Sequence, residues 1–388
     1  MLNKSWLIIS VTGLMLALST ACGGLAKSGS SETVTFYAGS SNGKLEHSIF
    51  LCELDPVGME LSVIDSFPGI KGSGYLDLSP DGLTLFATSG VSVPDDEGHN
   101  SVASYRVNPE DHSLELINRQ SSQGRGNCHV QSSPDGKYVF AANYSSGHAT
   151  ALPVEESGKL KAASSVMKGE GIGPNPKRQE GPHAHMVMMD PEGKFLLVPD
   201  LGTDKIMNYS FDGETGILSP NPNQPFLKME PGSGPRHLAF HPDKNLVFIL
   251  SEMNATVTAC TFDPKSGVLS IINSASIVED DFTGKLQSAA LRVHPNGKFV
   301  YASNRDDVSN LTVFSIDSKG DLTQTQIIRD IPYWPRDFNI TPDGKFILVA
   351  GARSNEIALY KVDPQIGELT GTGEKTALPG ITSIVFAK

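Results

Sequence analysis

The sequence predicts an all-β chain folded as a seven-bladed β-propeller. Each blade has four antiparallel strands, and the ring is closed by N- and C-terminal strands that share one blade. Three observations carry this expectation. First, a Pro-Asp/Glu/Asn-Gly turn followed by an alternating apolar run recurs at Pro80, Pro134, Pro191, Pro295 and Pro342, with a degenerate copy at Pro242. The spacings are 54, 57, 51, 53 and 47 residues, a periodicity that marks a repeat architecture. Second, a third-strand-like run occurs seven times, at 49–54, 102–107, 149–154, 206–211, 257–262, 311–316 and 357–362, although only six of these have their own turn upstream. Third, the two ends are complementary. Val34-Thr35-Phe36-Tyr37-Ala38-Gly39 reads as a second strand without a first, and Ile381-Thr382-Ser383-Ile384-Val385-Phe386 as a first strand without the rest. Sharing one blade removes two free sheet edges.

Taken in order, the chain opens with Lys4, an apolar run over 6–18, and Ser19-Thr20-Ala21-Cys22. Thirteen apolar residues are too few to span a bilayer, so residues 1–21 read as an export signal. Small residues before Cys22 resemble a bacterial lipoprotein cleavage site, with Leu18 four residues ahead of the cysteine rather than the usual three. The expectation is a lipid on Cys22, ordinary signal cleavage being the alternative, and a flexible tether over 22–32. The propeller would then occupy 33–388, in the bacterial cell envelope and touching membrane only through the lipid. At a period of about 52 residues, seven blades need roughly 364, and the segment 22–388 supplies 367.

Within each repeat an apolar stretch enters the turn, where Pro suits the second position and Gly supplies a positive φ. A strand such as Lys298-Phe299-Val300-Tyr301-Ala302 follows, then a polar turn and a strand such as Leu311-Thr312-Val313-Phe314-Ser315-Ile316. A second turn, as in Asp263-Pro264-Lys265-Ser266-Gly267, leads to a short outer strand. That is four strands per repeat, the unit of a propeller blade. The 38 glycines and 25 prolines suit many short strands and turns.

The blade topology sorts the polar residues that do not repeat. All Pro-Asp-Gly turns fall on one face. The starts of first strands and the ends of second strands fall on the other. His183, His185, Arg236, His237, Arg336 and Asp337 are at first-strand starts, and Asn143, Asp200, Glu252, Asn304 and Arg305 at second-strand ends. All therefore map to one mouth of the central channel. His183, His237, Asn143, Asp200, Asn304 and Arg336 are candidate substrate-binding groups. For Asn143, Asp200 and Asn304 the competing role is capping neighbouring backbone, and Arg336-Asp337 can also be read as an inter-blade ion pair. The His183–His185 pair is spaced to share a strand face, but no third metal ligand recommends itself, so neither a metal nor a cofactor is expected. Cys52, Cys128 and Cys260 contain no CxxC and read as buried free thiols, one disulfide plus an odd thiol remaining open. The net charge of −12 argues against a nucleic-acid partner but not against a local cationic pocket for a small anion.

Gly181-Pro182-His183-Ala184-His185 and Val198-Pro199-Asp200-Leu201-Gly202 resemble the lactonase-type seven-bladed propellers. That family includes bacterial 6-phosphogluconolactonase and fungal 3-carboxy-cis,cis-muconate lactonising enzyme. Gly234-Pro235-Arg236-His237, Ser251-Glu252, Ser303-Asn304-Arg305 and Pro335-Arg336-Asp337 follow in the family's order. The departures are Ser251 where the family usually has Asn, and the missing glycine of the fourth turn. The resemblance implies a lactonase-like hydrolase, 6-phosphogluconolactonase-like, with a motif histidine (His185 the better candidate, His183 the other), Arg236, Glu252 and Arg305 as its catalytic set. It implies a small anionic or lactone substrate.

In the expected chemistry Arg236 and Arg305 hold developing negative charge, while Glu252 or His185 takes a proton from water. The 16-residue spacing puts Arg236 and Glu252 within ion-pair reach in one blade. A muconate-type cycloisomerase would use the same groups. A non-enzymatic propeller that binds a ligand or a protein partner would instead disperse them, so convergence on one pocket is the discriminating observation.

Overall fold

The computed structural model describes residues 33–388 except 69, 307 and 308. The expected signal segment, tether and lipidation at Cys22 lie outside the described residues. Seven antiparallel sheets form the ring. Blade 1 is the composite, with Ile381–Phe386 innermost, then Val34–Ser40, His47–Asp55 and Glu60–Pro68. Blade 2 runs Leu76–Leu78, Thr84–Ser89, Ser101–Val107 and Leu114–Ser121. Blade 3 runs Asn127–Ser132, Tyr138–Asn143, His148–Pro153 and Ser165–Lys168. Blades 5, 6 and 7 begin at Pro235–Phe240, Ser288–Val293 and Pro335–Ile340 and keep the four-strand pattern.

Blade 4 departs from it. Its first strand is only Met188–Met189, and the outer position is divided between Ile217–Pro220 and Phe226–Lys228, both paired with Lys205–Asp212. Pro220, Pro222 and Pro225 have no amide proton to donate to the ladder, and they break the outer strand where they fall.

Ring closure is visible in register and in core. Val34–Ser40 pairs with Ile381–Phe386, Tyr37 opposite Val385 and Ala38 opposite Ile384. Among the described residues the apolar core divides into seven clusters, each shared by neighbouring blades. An open array of seven blades would have six such interfaces, so the cluster that joins Phe36, Leu54 and Ile384 to Phe346, Leu348 and Leu359 closes the circle. Cys52 and Cys260 are buried and all three described cysteines are free thiols.

The recurrent turn is held by the residue ahead of its proline. Ser133 Oγ donates to Asp135 and accepts from the amide of Tyr138. In two blades a histidine takes this place. His241 Nδ1 accepts from the amides of Asp243 and Lys244, and His294 Nδ1 from Asn296. Each Nε2 then donates to a carbonyl of the next blade's turn, Gly297 and Gly344 at 2.9 and 2.8 Å. A Cβ at Gly297 would lie 2.5 Å from the His241 ring, so that glycine serves both the positive φ and the inter-blade contact.

Candidate active site

The opposite face collects the non-repeating polar residues through a local irregularity of the first strands. In blade 5 Pro235 pairs with Ser251 and His237 with Leu250, which leaves Arg236 unpaired in a β-bulge. The same bulge leaves Cys128 unpaired in blade 3 and Arg336 in blade 7. A bulge re-aims the extra residue, and these three line or floor the channel mouth. Gly234, at φ 61°, makes the approach to Arg236 and is pinned by Asp204, whose Oδ1 accepts its amide at 2.8 Å.

At the centre stands Glu252, immediately after the second strand of blade 5 and only 4 % exposed. Its Oε2 accepts from Arg236 Nε at 3.0 Å and from Arg305 Nη2 at 3.0 Å, and its Oε1 from Arg178 Nη2 at 2.7 Å. Arg236 also donates to His237 Nε2 and to the Ala289 carbonyl. Arg305 donates to the carbonyls of Gln287 and Ser288 and lies over the Trp334 ring. Burial pushes the Glu252 carboxyl up, but the guanidiniums of Arg305, Arg236 and Arg178 outweigh it and hold the group at about 2.

Above this floor opens a cavity of about 420 Å³ with Tyr144, Arg178, His185, Arg305 and Arg336 in its wall. Arg336 makes no hydrogen bond or ion pair among the described residues. Asp337, beside it in sequence, does make an inter-blade ion pair, with Arg292 of blade 6 at 2.8 Å, but Arg336 takes no part in it. Three guanidiniums, of Arg178, Arg305 and Arg336, line the pocket with Glu252 as its one lining carboxylate, and Arg236 backs Glu252, so the pocket is cationic on a chain of net charge −12. Burial, reinforced by Arg236, Arg336 and Arg305, holds His185 well below the usual histidine range, so it is a neutral imidazole at pH 7. Cys128 Sγ lies 3.3 Å from the His185 carbonyl, and its thiol is pushed up to about 11 by burial. A larger cavity, about 720 Å³, lies on the turn face beside Pro342 and Lys388, but it holds no buried charge cluster.

The structure thus brings His185, Arg236, Glu252 and Arg305 together. It seats the remaining candidates differently. His183 stacks on Tyr144 at 4.4 Å, its Nδ1 3.0 Å from the Tyr144 carbonyl. His237 lies beneath Arg236, off the pocket wall. Asn143, Asp200 and Asn304 hold loops rather than line the cavity. Asn143 Oδ1 accepts from Ser122, Asp200 Oδ1 from the amides of His183 and Gly202, and Asn304 Oδ1 from the amide of Gln287. Each is buried next to unpaired loop amides or hydroxyls, which it satisfies. Arg178, Tyr144 and Cys128 escape sequence reasoning. For Arg178 the one signal is that its excursion, residues 169–187, falls in the longest repeat spacing.

A closed propeller with one carboxylate clamped among arginines at a channel mouth defines the class. The chain belongs to the lactonase, seven-bladed β-propeller family, whose model matches residues 35–386. It is 30% identical over 353 residues to the 6-phosphogluconolactonase of Bacillus subtilis, covering 91% of this chain and 96% of that one. It is 29% identical over 330 residues to the 6-phosphogluconolactonase of Formosa agariphila, covering 84% and 90%. Among solved structures the periplasmic gluconolactonase of Pseudomonas aeruginosa superposes with a TM-score of 0.85 at 26% identity, covering 92% of this chain and 99% of that one.

Proposed function

We propose that the protein is a lactonase that opens the ring of a sugar or phosphosugar lactone by hydrolysis, in the manner its 6-phosphogluconolactonase relatives are named for. The observation that carries this is the convergence of Glu252, three guanidiniums bonded to it, neutral His185 and unpaired Arg336 on one pocket. Ring opening needs a water oxygen to bond to the acyl carbon, an oxyanion to be held, and the ring C–O bond to break with a proton delivered to the leaving oxygen. Arg305 and Arg336 face the pocket with fixed positive charge for the oxyanion or for an acidic substituent. Glu252 takes the water proton and returns it to the leaving alkoxide, with His185 beside it as a neutral second acceptor. The test is turnover of purified protein on a panel of sugar, phosphosugar and acyl lactones, followed by acid release at constant pH. Ring opening of sugar or phosphosugar members at rates well above the uncatalysed ones is expected, and no acceleration on any member would dismiss the reading.

We further infer that it works in the cell envelope, tethered by a lipid on Cys22. The segment before Cys22 and the likeness to a periplasmic gluconolactonase support this. Cys22→Ala is expected to move the protein from the membrane pellet to the soluble envelope fraction. Unchanged pelleting would exclude the lipid as its tether.

A further inference from the structure

The three guanidiniums on Glu252 are not equivalent. Arg236 springs from the first strand of blade 5 and Arg305 from the residue directly after the second strand of blade 6; they are 2 % and 5 % exposed, and each has at least one backbone carbonyl as a further acceptor. They are fixed. Arg178 comes from the excursion between blades 3 and 4. Its side chain is 38% exposed, and besides Glu252 its one hydrogen-bond partner among the described residues is the Tyr144 hydroxyl, at 3.5 Å. The backbone under it is anchored. Gln179, fully buried, donates to the Leu201 carbonyl and to Asp204, and its amide bonds to the Asn175 carbonyl. What can move is the Arg178 side chain alone.

A carboxylate oxygen offers two lone-pair directions: on Glu252, Oε2 has both taken, by Arg236 and Arg305, whereas Oε1 has one taken, by Arg178 alone among the described residues, and that charge-assisted bond lowers its basicity. Arg178 also lines the cavity that holds Arg336. We propose that Arg178 is an exchangeable clamp: an oxyanion entering the pocket draws its guanidinium off Glu252, so that Oε1, no longer bonded to guanidinium, becomes basic enough to accept the proton of the attacking water. This rests on the reading of Glu252 as the base. Carboxylate and phosphate oxyanions share the chemistry that Arg178 would recognise. The groups facing Glu252 are Arg178 from the excursion, Arg236 and Arg305 from blades 5 and 6, and the Tyr144 hydroxyl from blade 3, with His185 and Arg336 in the same wall. The depressed Glu252 value agrees with the clamped arrangement.

The probe is inorganic phosphate, and the readout is the ¹³C carboxyl resonance of Glu252 in glutamate-labelled protein, assigned by its loss in Glu252→Gln. Arg178→Gln is expected to titrate at least about one pH unit above the wild type, since losing a charge-assisted bond raises a carboxyl by that order. Saturating phosphate should raise the wild type to the same range and leave Arg178→Gln where it is. Phosphate affinity by calorimetry should fall about tenfold or more in Arg178→Gln. Arg178→Lys, which keeps the charge without the planar fork, should recover part of that affinity. If wild type and Arg178→Gln titrate alike, or phosphate moves both by the same amount, the exchange is overturned and plain charge repulsion is left. If the shifts appear but no lactone is turned over, the lactonase reading falls and the exchange stands.

Discussion

Glu252→Gln is expected to slow lactone opening by roughly 10²–10⁴-fold, the range for loss of a positioned proton-transfer group. It should also destabilise the protein by about 3–5 kcal/mol, because Arg236 and Arg305 would be left charged and buried without a counter-ion. The two effects separate experimentally. Activity is read below the unfolding transition, with folding checked by circular dichroism, and stability from denaturant midpoints. Arg305→Ala should likewise cost two orders of magnitude or so in rate. Near-wild-type rates in both variants would remove Glu252 and Arg305 from the chemistry.

A pH signature follows from the same cluster. The folded Glu252 carboxyl, at about 2, lies below its ordinary value of 4.5. Its ion pairs therefore stabilise the native state fully above about pH 4.5, and that contribution, on the order of 3 kcal/mol, is lost as pH falls from there toward 2. Glu252→Gln should flatten this part of the stability profile.

The second large effect is expected from truncation before residue 381. The last strand buries Ile381, Ile384 and Phe386 against blade 7 and Phe36. It also accepts and donates bonds on both sides. The Ile384 amide donates to Asp337 Oδ2 and the Leu76 amide to Ser383 Oγ, each at 3.0 Å. Thr382 Oγ1 donates to the Gly74 carbonyl at 2.8 Å. At about 1.5–3 kcal/mol per large apolar side chain, the loss rivals the whole stability of a typical domain. The exposed edge of Val34–Ser40 would then invite association. Insoluble or unfolded product is expected on expression. A soluble, cooperatively melting truncation would show that closure is dispensable.

The fold was legible because a propeller repeats its own punctuation. Each Pro-Asp-Gly turn states where a first strand ends, and the two half-units at the termini state that the ring closes. The face of the site was legible for the same reason, since strand direction assigns Arg236, Glu252 and Arg305 to one mouth. The aim of individual side chains was not. Whether a residue at a first-strand start enters the pocket depends on the bulge that skips Arg236 and Arg336 but pairs His237 and Asp337, and a bulge is a property of two strands together. Asn143, Asp200 and Asn304 looked like site residues because polar side chains at strand ends serve both purposes. Arg178 sits in an irregular run with no period, so the long repeat spacing marks the excursion but the contact with Glu252 singles out the residue.

The closure of the ring has one more consequence. Thr33 and Lys388 both emerge at the turn face, Lys388 Nζ donating to the carbonyl of Ser79 beside the Pro80 turn. A group coupled directly at Lys388 would therefore sit on the turn face, one strand length from the arginine-lined mouth, and would leave that mouth open to solvent.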